Sequence, residues 1–299
     1  MTDTPSNDAT QTRCGYVAII GAPNSGKSTL LNELVGERLS IVTPKPHTTR
    51  NRVLGIITDP NRQTQVIFLD TPGIIDKPRY RLQEVMSDEI NRAIADSDVI
   101  LVLFDLDRDH AVTHELAQAL AEHSSKPVIY VLNKIDLASE DIDMSAYPPD
   151  TIPISALRQL NLPMLGDAIT SALPFGPYLY PPDSIADQPE RFFVAELIRE
   201  TIFDEMRMEI PYTTAVSIDE FVEREPKNYI HATILVDRDS QKGIMIGKNG
   251  VQLKRIGQKS RAKIEEFLGR QAFLDLHVRV KRDWMKKDAT LRDLGYLER

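Results

Sequence analysis

Six short apolar runs punctuate the first half of the chain: Tyr16–Ile20, Arg52–Thr58, Gln65–Asp70, Val99–Asp105, Pro127–Asn133 and Ile152–Ser155. Several are continuously apolar, as in Val99-Ile100-Leu101-Val102-Leu103-Phe104, the pattern of strands buried on both faces of a mainly parallel sheet. Helix-period segments near 28–36, 80–96, 111–124 and 159–173 lie between them. The alternation predicts a three-layer α/β domain with its loops gathered at the carboxyl ends of the strands.

The pattern breaks at Pro174. Five prolines in the sixteen positions 174–189 exclude helix and central strand, so an extended linker is expected. Beyond it, Phe192 to about Met206 has helical period, and strand-like runs follow at Tyr212–Val222 and Tyr229–Val236. A glycine-punctuated turn over 243–250 leads into a long helix, Val251–Leu268, whose apolar stripe is interleaved with basic residues. In a last strand, Ala272–Val280, the positions Ala272, Leu274, Leu276, Val278 and Val280 share one face. This predicts a small α+β domain. The expected organisation is a disordered tail over 1–14, a nucleotide-binding domain over 15–174, a linker over 175–191, and a second domain with a C-terminal tail over 192–299.

Composition supports two soluble domains: 299 residues, 41% hydrophobic and 27% charged. No apolar run approaches the roughly 20 residues of a membrane span. The N-terminal segment is polar, so no secretory signal is expected there. Cys14 is the only cysteine, which excludes an internal disulfide and a cysteine-based metal cluster and fits a reducing cytoplasm. A net charge of −8 would ordinarily argue against a nucleic-acid partner. The charge is unevenly placed, however. From Arg238 to Asp288 there are 14 Lys or Arg against 6 Asp or Glu, a local +8, so the remainder carries −16.

The candidate chemistry begins at Gly21-Ala22-Pro23-Asn24-Ser25-Gly26-Lys27-Ser28, between a strand and a helix, the context a G-x-x-x-x-G-K-[ST] phosphate loop needs. Its N–H groups and the positive helix end face phosphate oxygens. Lys27 would reach the β- and γ-phosphates and Ser28 would hold Mg²⁺. Asp70-Thr71-Pro72-Gly73 ends a second strand. There Asp70 can hold a Mg²⁺-bound water and Gly73 can offer its N–H to the γ-phosphate. Asn133-Lys134-Ile135-Asp136 ends a third. Asp136 can accept from the ring N–H and exocyclic amino group of guanine, a pairing adenine does not offer. Asn133 would brace the loops, Lys134 would lie along the base, and Ser155-Ala156 could give a backbone N–H to the guanine oxygen. GTP rather than ATP is expected.

These stretches, with Pro46-His47-Thr48-Thr49-Arg50-Asn51-Arg52, resemble the translation-factor-related GTPases. The resemblance implies a Mg²⁺ ligand at Thr49, with Thr48 as the competing choice, so the expected metal set is Ser28, Thr49 and Asp70. Lys27, Thr49 and Gly73 are expected to act on the transferring phosphoryl group. The expected nucleotide contacts are Gly21, Ala22, Pro23, Asn24, Ser25, Gly26, Lys27, Ser28, Thr29, Asp70, Thr71, Pro72, Gly73, Ile74, Asn133, Lys134, Asp136, Ser155 and Ala156. Ile74 stands where Ras-like enzymes carry a water-orienting glutamine, so slow unaided turnover is expected. Asn24 resembles the asparagine by which related GTPases hold potassium, and K⁺ joins GTP/GDP and Mg²⁺ as an expected cofactor.

In the second half, Gly247-Lys248-Asn249-Gly250 between helical segments resembles the G-x-x-G loop of KH domains, which clamps about four single-stranded nucleotides. The surrounding basic surplus is an RNA footprint. Lys242, Gly247, Lys248, Asn249, Gly250, Lys254, Arg255 and Lys259 are the expected RNA contacts. Asn249, where a further glycine is common, tolerates left-handed backbone angles. Taken together the halves resemble the bacterial ribosome-assembly GTPases, which implies a P-loop GTPase domain followed by a smaller type II KH domain. It also implies a monomer that binds the 3′ end of 16S rRNA, matures the 30S subunit, and is cytoplasmic with peripheral contact to the inner membrane. Two rival readings stand beside this GTP-driven switch: an RNA-binding scaffold with little turnover, and a membrane-associated GTPase with incidental RNA affinity.

Overall fold

The apolar runs form strands, and each strand's period separates two cores. The computed structural model describes residues 12–108, 111–139 and 141–297. Strands β1 (Arg13–Gly21), β2 (Val53–Asp59), β3 (Thr64–Asp70), β4 (Val99–Asp105), β5 (Val128–Asn133) and β6 (Ile152–Pro153) form one sheet in the order β2-β3-β1-β4-β5-β6. All pairs are parallel except β2 with β3, a hairpin that closes one edge. Along β1, Val17 and Ile19 face helices α1 (Lys27–Val35) and α4 (Leu162–Ala172), which contribute Leu30, Leu31, Leu165 and Ile169. Ala18 and Ile20 face α2 (Arg81–Asp96) and α3 (Ala111–His123), which contribute Ile90, Ala93 and Ala117. β4 is buried at every position because helices cover both sides of it.

The second domain follows the order α5 (Glu190–Glu205), β7 (Ala215–Val222), β8 (Asn228–Val236), α6 (Asp239–Ile246), α7 (Val251–Leu268) and β9 (Ala272–Val280). Its sheet order is β7-β8-β9, with β7 antiparallel and β9 parallel to β8. Val194, Ile198 and Ile202 of α5 and Ile256 and Ile264 of α7 bury one sheet face at Ile230, Ala232 and Ile234. On the other face Phe273, His277 and Arg279 of β9 are exposed.

Four expectations change. β1 begins at Arg13, so Arg13 and Cys14 are strand rather than tail, and the rest of that tail call, residues 1–11, lies outside the described residues. Glu190 and Arg191, placed in the linker, are the first residues of α5. The linker is also not a free tether. Leu179 and Tyr180 donate their N–H groups to Gln65 Oε1 at 2.8 and 2.9 Å, and Ile185 O accepts from Ile56 N at 2.9 Å. β2 is an edge strand whose outward Ile56 N–H needs an acceptor that a proline-rich strap can supply, and Gln65 of β3 in turn accepts from the strap. Third, α6 continues through Gly243, leaving only 247–250 as the turn.

The fourth change is the largest. The expected C-terminal tail folds as a 3-10 turn at Trp284–Lys286 and helix α8 (Asp288–Asp293). Trp284, Leu291 and Tyr296 join Ala215 and Leu235 of the second domain against Leu82, Val85 and Met86 of α2. Phe193 of α5 likewise belongs to the core shared with α1 and α4. The two domains therefore share buried apolar side chains.

Candidate functional site

β1 ends at Gly21 and α1 starts at Lys27, so the loop between them presents the first, unpaired N–H groups of a helix. It opens on a cavity of about 400 Å³ lined by Pro23, Asn24, Gly26, Lys27, Ser28 and Thr29. Gly26 has φ 97°, and a Cβ there would stand 2.2 Å from Asn133 Nδ2. The phosphate loop and the base loop thus meet through a position only glycine can fill. Lys27 is buried, with Nζ donating to Gly21 O at 3.1 Å and Ala22 O at 2.9 Å. Burial pushes its ammonium down to about 8 while Asp70 opposes the shift. A phosphate chain in the cavity would supply the missing countercharge.

Ser28 Oγ lies 2.9 Å from Thr49 Oγ1 and donates to Asp70 Oδ2 at 2.7 Å. Asp70 Oδ1 is buried with no partner. Burial raises the Asp70 carboxyl, against Ser28 and Lys27. Two hydroxyls and a carboxylate with an orphaned oxygen, beside a phosphate loop, suit a Mg²⁺ ion that keeps its waters. Of the two competing threonines it is Thr49 that reaches Ser28; Thr48 instead offers its carbonyl to Arg199 Nη2.

Gly73 packs on the phosphate loop so closely that a Cβ would lie 2.7 Å from Pro23 Cα. Ile74 donates its N–H to Gly21 O at 3.1 Å and turns its side chain toward the core under α2 and α3. His47, which sequence reasoning gave no role, lines the cavity with Nδ1 buried and unpartnered. Burial, then Lys27 and Arg50, lower its pKa, so it sits there as a neutral imidazole.

At the base end, Asn133 Nδ2 donates to Ser25 O at 2.8 Å and its Oδ1 accepts from Ala156 N at 2.9 Å, the brace expected of it. Lys134 has φ 70°, and Asp105 at the end of β4 holds its Nζ at 2.7 Å, a partner the sequence did not single out. Asp136 and Ala156 line the cavity. One expectation needs revision. Ser155 N donates to Leu160 O and Ala156 N to Asn133 Oδ1, so both backbone donors offered for the guanine oxygen are engaged. Ser155 acts through its hydroxyl, which donates to Asp136 Oδ1. Gly21, Ala22, Ser25, Asp70 and Thr71 are buried and support the cavity from behind: a Cβ on Gly21 would stand 2.5 Å from Leu103 O, and Thr71 Oγ1 donates to Ile19 O.

The segment that carries Thr49 is held by the second domain. Lys45 Nζ donates to Phe203 O and Met206 O at the end of α5, and Arg199 of α5 donates to Thr48 O. Arg50 is buried. It donates to Thr214 O at 2.7 Å and Tyr212 O at 2.8 Å, with its guanidinium 5.8 Å from the centre of the Trp284 ring. Arg50 stands in the sequence only as part of a resemblance; the partners of Lys45 and Arg50 lie more than 150 residues away, where no spacing rule reaches.

In the turn before α7, Gly247 (φ 72°), Asn249 (φ 54°) and Gly250 (φ 76°) all take positive φ, so Asn249 adopts the angle expected of it. A Cβ on Gly247 would meet Gln252 Cβ at 2.7 Å. The turn borders a groove of about 660 Å³ shared with Met206, Met208, Ile244 and Val251. Lys248 and Lys254 are exposed and Lys242 is half-buried. Arg255 and Lys259 are not free cations: both bind Glu205, at 2.7 and 2.5 Å.

Comparison with known proteins follows the same division. The family described as 50S ribosome-binding GTPase matches residues 16–134, and the KH domain family matches 209–285. GTPase Era of Heliobacterium modesticaldum is 42% identical over 297 residues, covering 96% of this chain and 98% of that one. GTPase Era of Geobacter metallireducens is 42% identical over 294 residues, covering 95% and 98%. Two solved structures superpose with a TM-score of 0.90, each covering 95% of this chain and 99% of its own: Aquifex aeolicus Era bound to GDP.AlF4-, at 40% identity, and an Era in complex with MgGDPNP and nucleotides 1506–1542 of 16S ribosomal RNA, at 39%.

Proposed function

The chain belongs to the Era family of GTPases, and from that premise we propose that it is a GTP-hydrolysing switch whose nucleotide state sets how its KH domain holds the 3′ end of 16S rRNA during 30S subunit maturation. GTP with Mg²⁺ is its substrate form. One observation carries the switch reading. The segment 45–50 places Thr49 against Ser28 while Lys45, Thr48 and Arg50 are bonded to the KH domain. Any movement of Thr49 on γ-phosphate loss must therefore act on α5 and the strand after it.

In this reading the loop N–H groups and Lys27 hold the phosphates, and Ser28, Thr49 and Asp70 hold Mg²⁺. Mg²⁺, when bound, neutralises charge across the β- and γ-oxygens. Gly73 brings its N–H to the γ-phosphate because its missing Cβ lets it close on Pro23. Asp136, braced by Ser155, reads guanine, and Lys134, held by Asp105, lies along the ring. Ile74 places no polar atom on the attacking water, so backbone, another residue or a partner must place it, and a supplied cation can speed turnover further. Asn24 has φ 65° and donates Nδ2 to Pro44 O at 2.8 Å, which leaves Oδ1 as the atom for K⁺. Hydrolysis should run faster in potassium than in sodium, and Asn24→Ala should erase the difference; equal wild-type rates in both salts, with and without RNA, refute the potassium assignment.

Lys242, Lys248 and Lys254 supply the free charge at the G-x-x-G turn, which clamps the RNA backbone. The protein is assigned to work as a cytoplasmic monomer on the 30S subunit. No helix among the described residues is long and apolar enough to cross a membrane. Peripheral contact with the inner membrane rests on resemblance, and flotation with anionic vesicles tests it. The deciding experiment is crosslinking in cells of GTP- and GDP-locked forms followed by RNA sequencing. Enrichment of the small-subunit 3′ end that differs between the forms supports the switch; equal enrichment favours a scaffold, and none overturns the RNA assignment.

A further inference from the structure

The helix-free face of the KH sheet carries a second cluster of chemistry-bearing side chains, separate from the nucleotide cavity and the G-x-x-G turn. His231 of β8 stands in register with Asp275 of β9, and Thr233 with His277. Alternation along β9 then puts Asp275 and His277 on the same face as His231. His231 Nδ1 is 3.1 Å from Asp275 Oδ2, and His277 Nδ1 is 3.8 Å from Asp275 Oδ1. The two imidazole centroids are 4.7 Å apart. One donor atom from each of the three residues lies within 4.8 Å of the other two.

A second observation concerns what stands behind His231. Its other nitrogen, Nε2, is 3.5 Å from Asp219 Oδ2. Asp219 lies at an irregularity in the β7–β8 pairing between Ile218 and Glu220, where the local kink redirects a side chain. Thr233 Oγ1 donates to the same Asp219 oxygen at 2.5 Å and fixes it. A histidine with one nitrogen toward a shared centre and the other on a carboxylate has the arrangement that orients metal-bound imidazoles.

We propose that His231, His277 and Asp275 bind a divalent transition ion of the zinc class, with Asp219 orienting His231 and water completing the coordination. Two imidazoles and one carboxylate suit zinc, nickel or copper and not magnesium or calcium, which take oxygen ligands. Zinc bonds of about 2.0–2.2 Å set neighbouring donors roughly 3.3 Å apart, so the side chains close by about 1.5 Å at most. That movement is small for groups at a partly exposed sheet surface. The ion joins β8 and β9 directly and β7 through Asp219.

The test uses the full chain saturated with Mg²⁺ and GDP, so that the nucleotide site does not report. Zinc is titrated in competition with a chromophoric chelator. The wild type should hold one zinc per chain. His231→Ala and His277→Ala should each weaken it by at least 100-fold, and Asp219→Asn by about tenfold, the effect of losing an outer-shell partner. Cobalt(II) should give the intense visible bands of a tetrahedral site in the wild type and not in His277→Ala. His277 is 61% exposed, so that variant removes a ligand without opening the core. Absence of zinc from the wild type, or its retention by both histidine variants, overturns the proposal and leaves Asp275 as a hydrogen-bond partner of His231.

Discussion

The Ser155 hydroxyl donates to Asp136 Oδ1, while its backbone N–H pairs with Leu160 O. Ser155→Ala should raise the GDP dissociation constant about five- to tenfold, the loss of about 1.0–1.4 kcal/mol that a typical hydrogen bond contributes. RNA affinity should not change; unaltered GDP binding would show that Asp136 needs no brace. His47 makes the complementary case. Its neutral imidazole has a free Nδ1 at the cavity wall, where Ile74 offers nothing to water. His47→Ala should lower kcat about tenfold or more with KM little changed, the signature of a group that positions the attacking water. An equal rise in KM would make it a binding residue instead. The phosphate, D-x-x-G and N-K-x-D loops were legible as sequence because each is a local backbone shape. Which atom of Ser155 acts, and that His47 faces Lys27, depends on chains folded together from distant positions.

Among elements, the turn before α7 was readable because its residue types match the angles it takes. Gly247 combines φ 72° with a neighbour 2.7 Å from any Cβ. Gly247→Ala should therefore distort the clamp and weaken RNA binding at least tenfold, while GTP turnover without RNA stays at the wild-type rate. A fall in both would mean that the change propagates through α6 into the domain. Bounds of α7 and β9 match expectation to the residue, since each has a clear period and Gly250 and Gly269 cap α7. α6 was harder to read. Gly243 interrupts its sequence pattern, yet Gln241 Oε1 accepts from the N–H groups of Asp237 and Arg238 and holds the start of the helix.

Across the whole molecule, the segment after β9 decides how the domains sit. Trp284 is fully buried between them and donates Nε1 to Thr213 O at 2.9 Å. Trp284→Ala should cost about 3–5 kcal/mol by emptying that space. Trp284→Phe keeps most of the ring and loses the hydrogen bond. If the shared core transmits the nucleotide signal, Trp284→Phe should narrow the difference in RNA affinity between GTP-analogue and GDP forms. A full difference in a folded Trp284→Phe protein would place the coupling in the Lys45, Arg199 and Arg50 contacts alone.

By itself the sequence determined the two-domain division, the guanine nucleotide, the G-x-x-G turn and most element bounds to within a residue or two. Each of these is written in residues close together in the chain, as period, loop shape or local charge. Tertiary structure alone decided that Thr49 is the threonine facing Ser28, that Arg255 and Lys259 are paired with Glu205, and that the last segment is core. It also decided that the segment 45–50 is bonded to the second domain. Those outcomes depend on which surfaces meet, and a polar loop or a mixed C-terminal segment carries no period that records its partner.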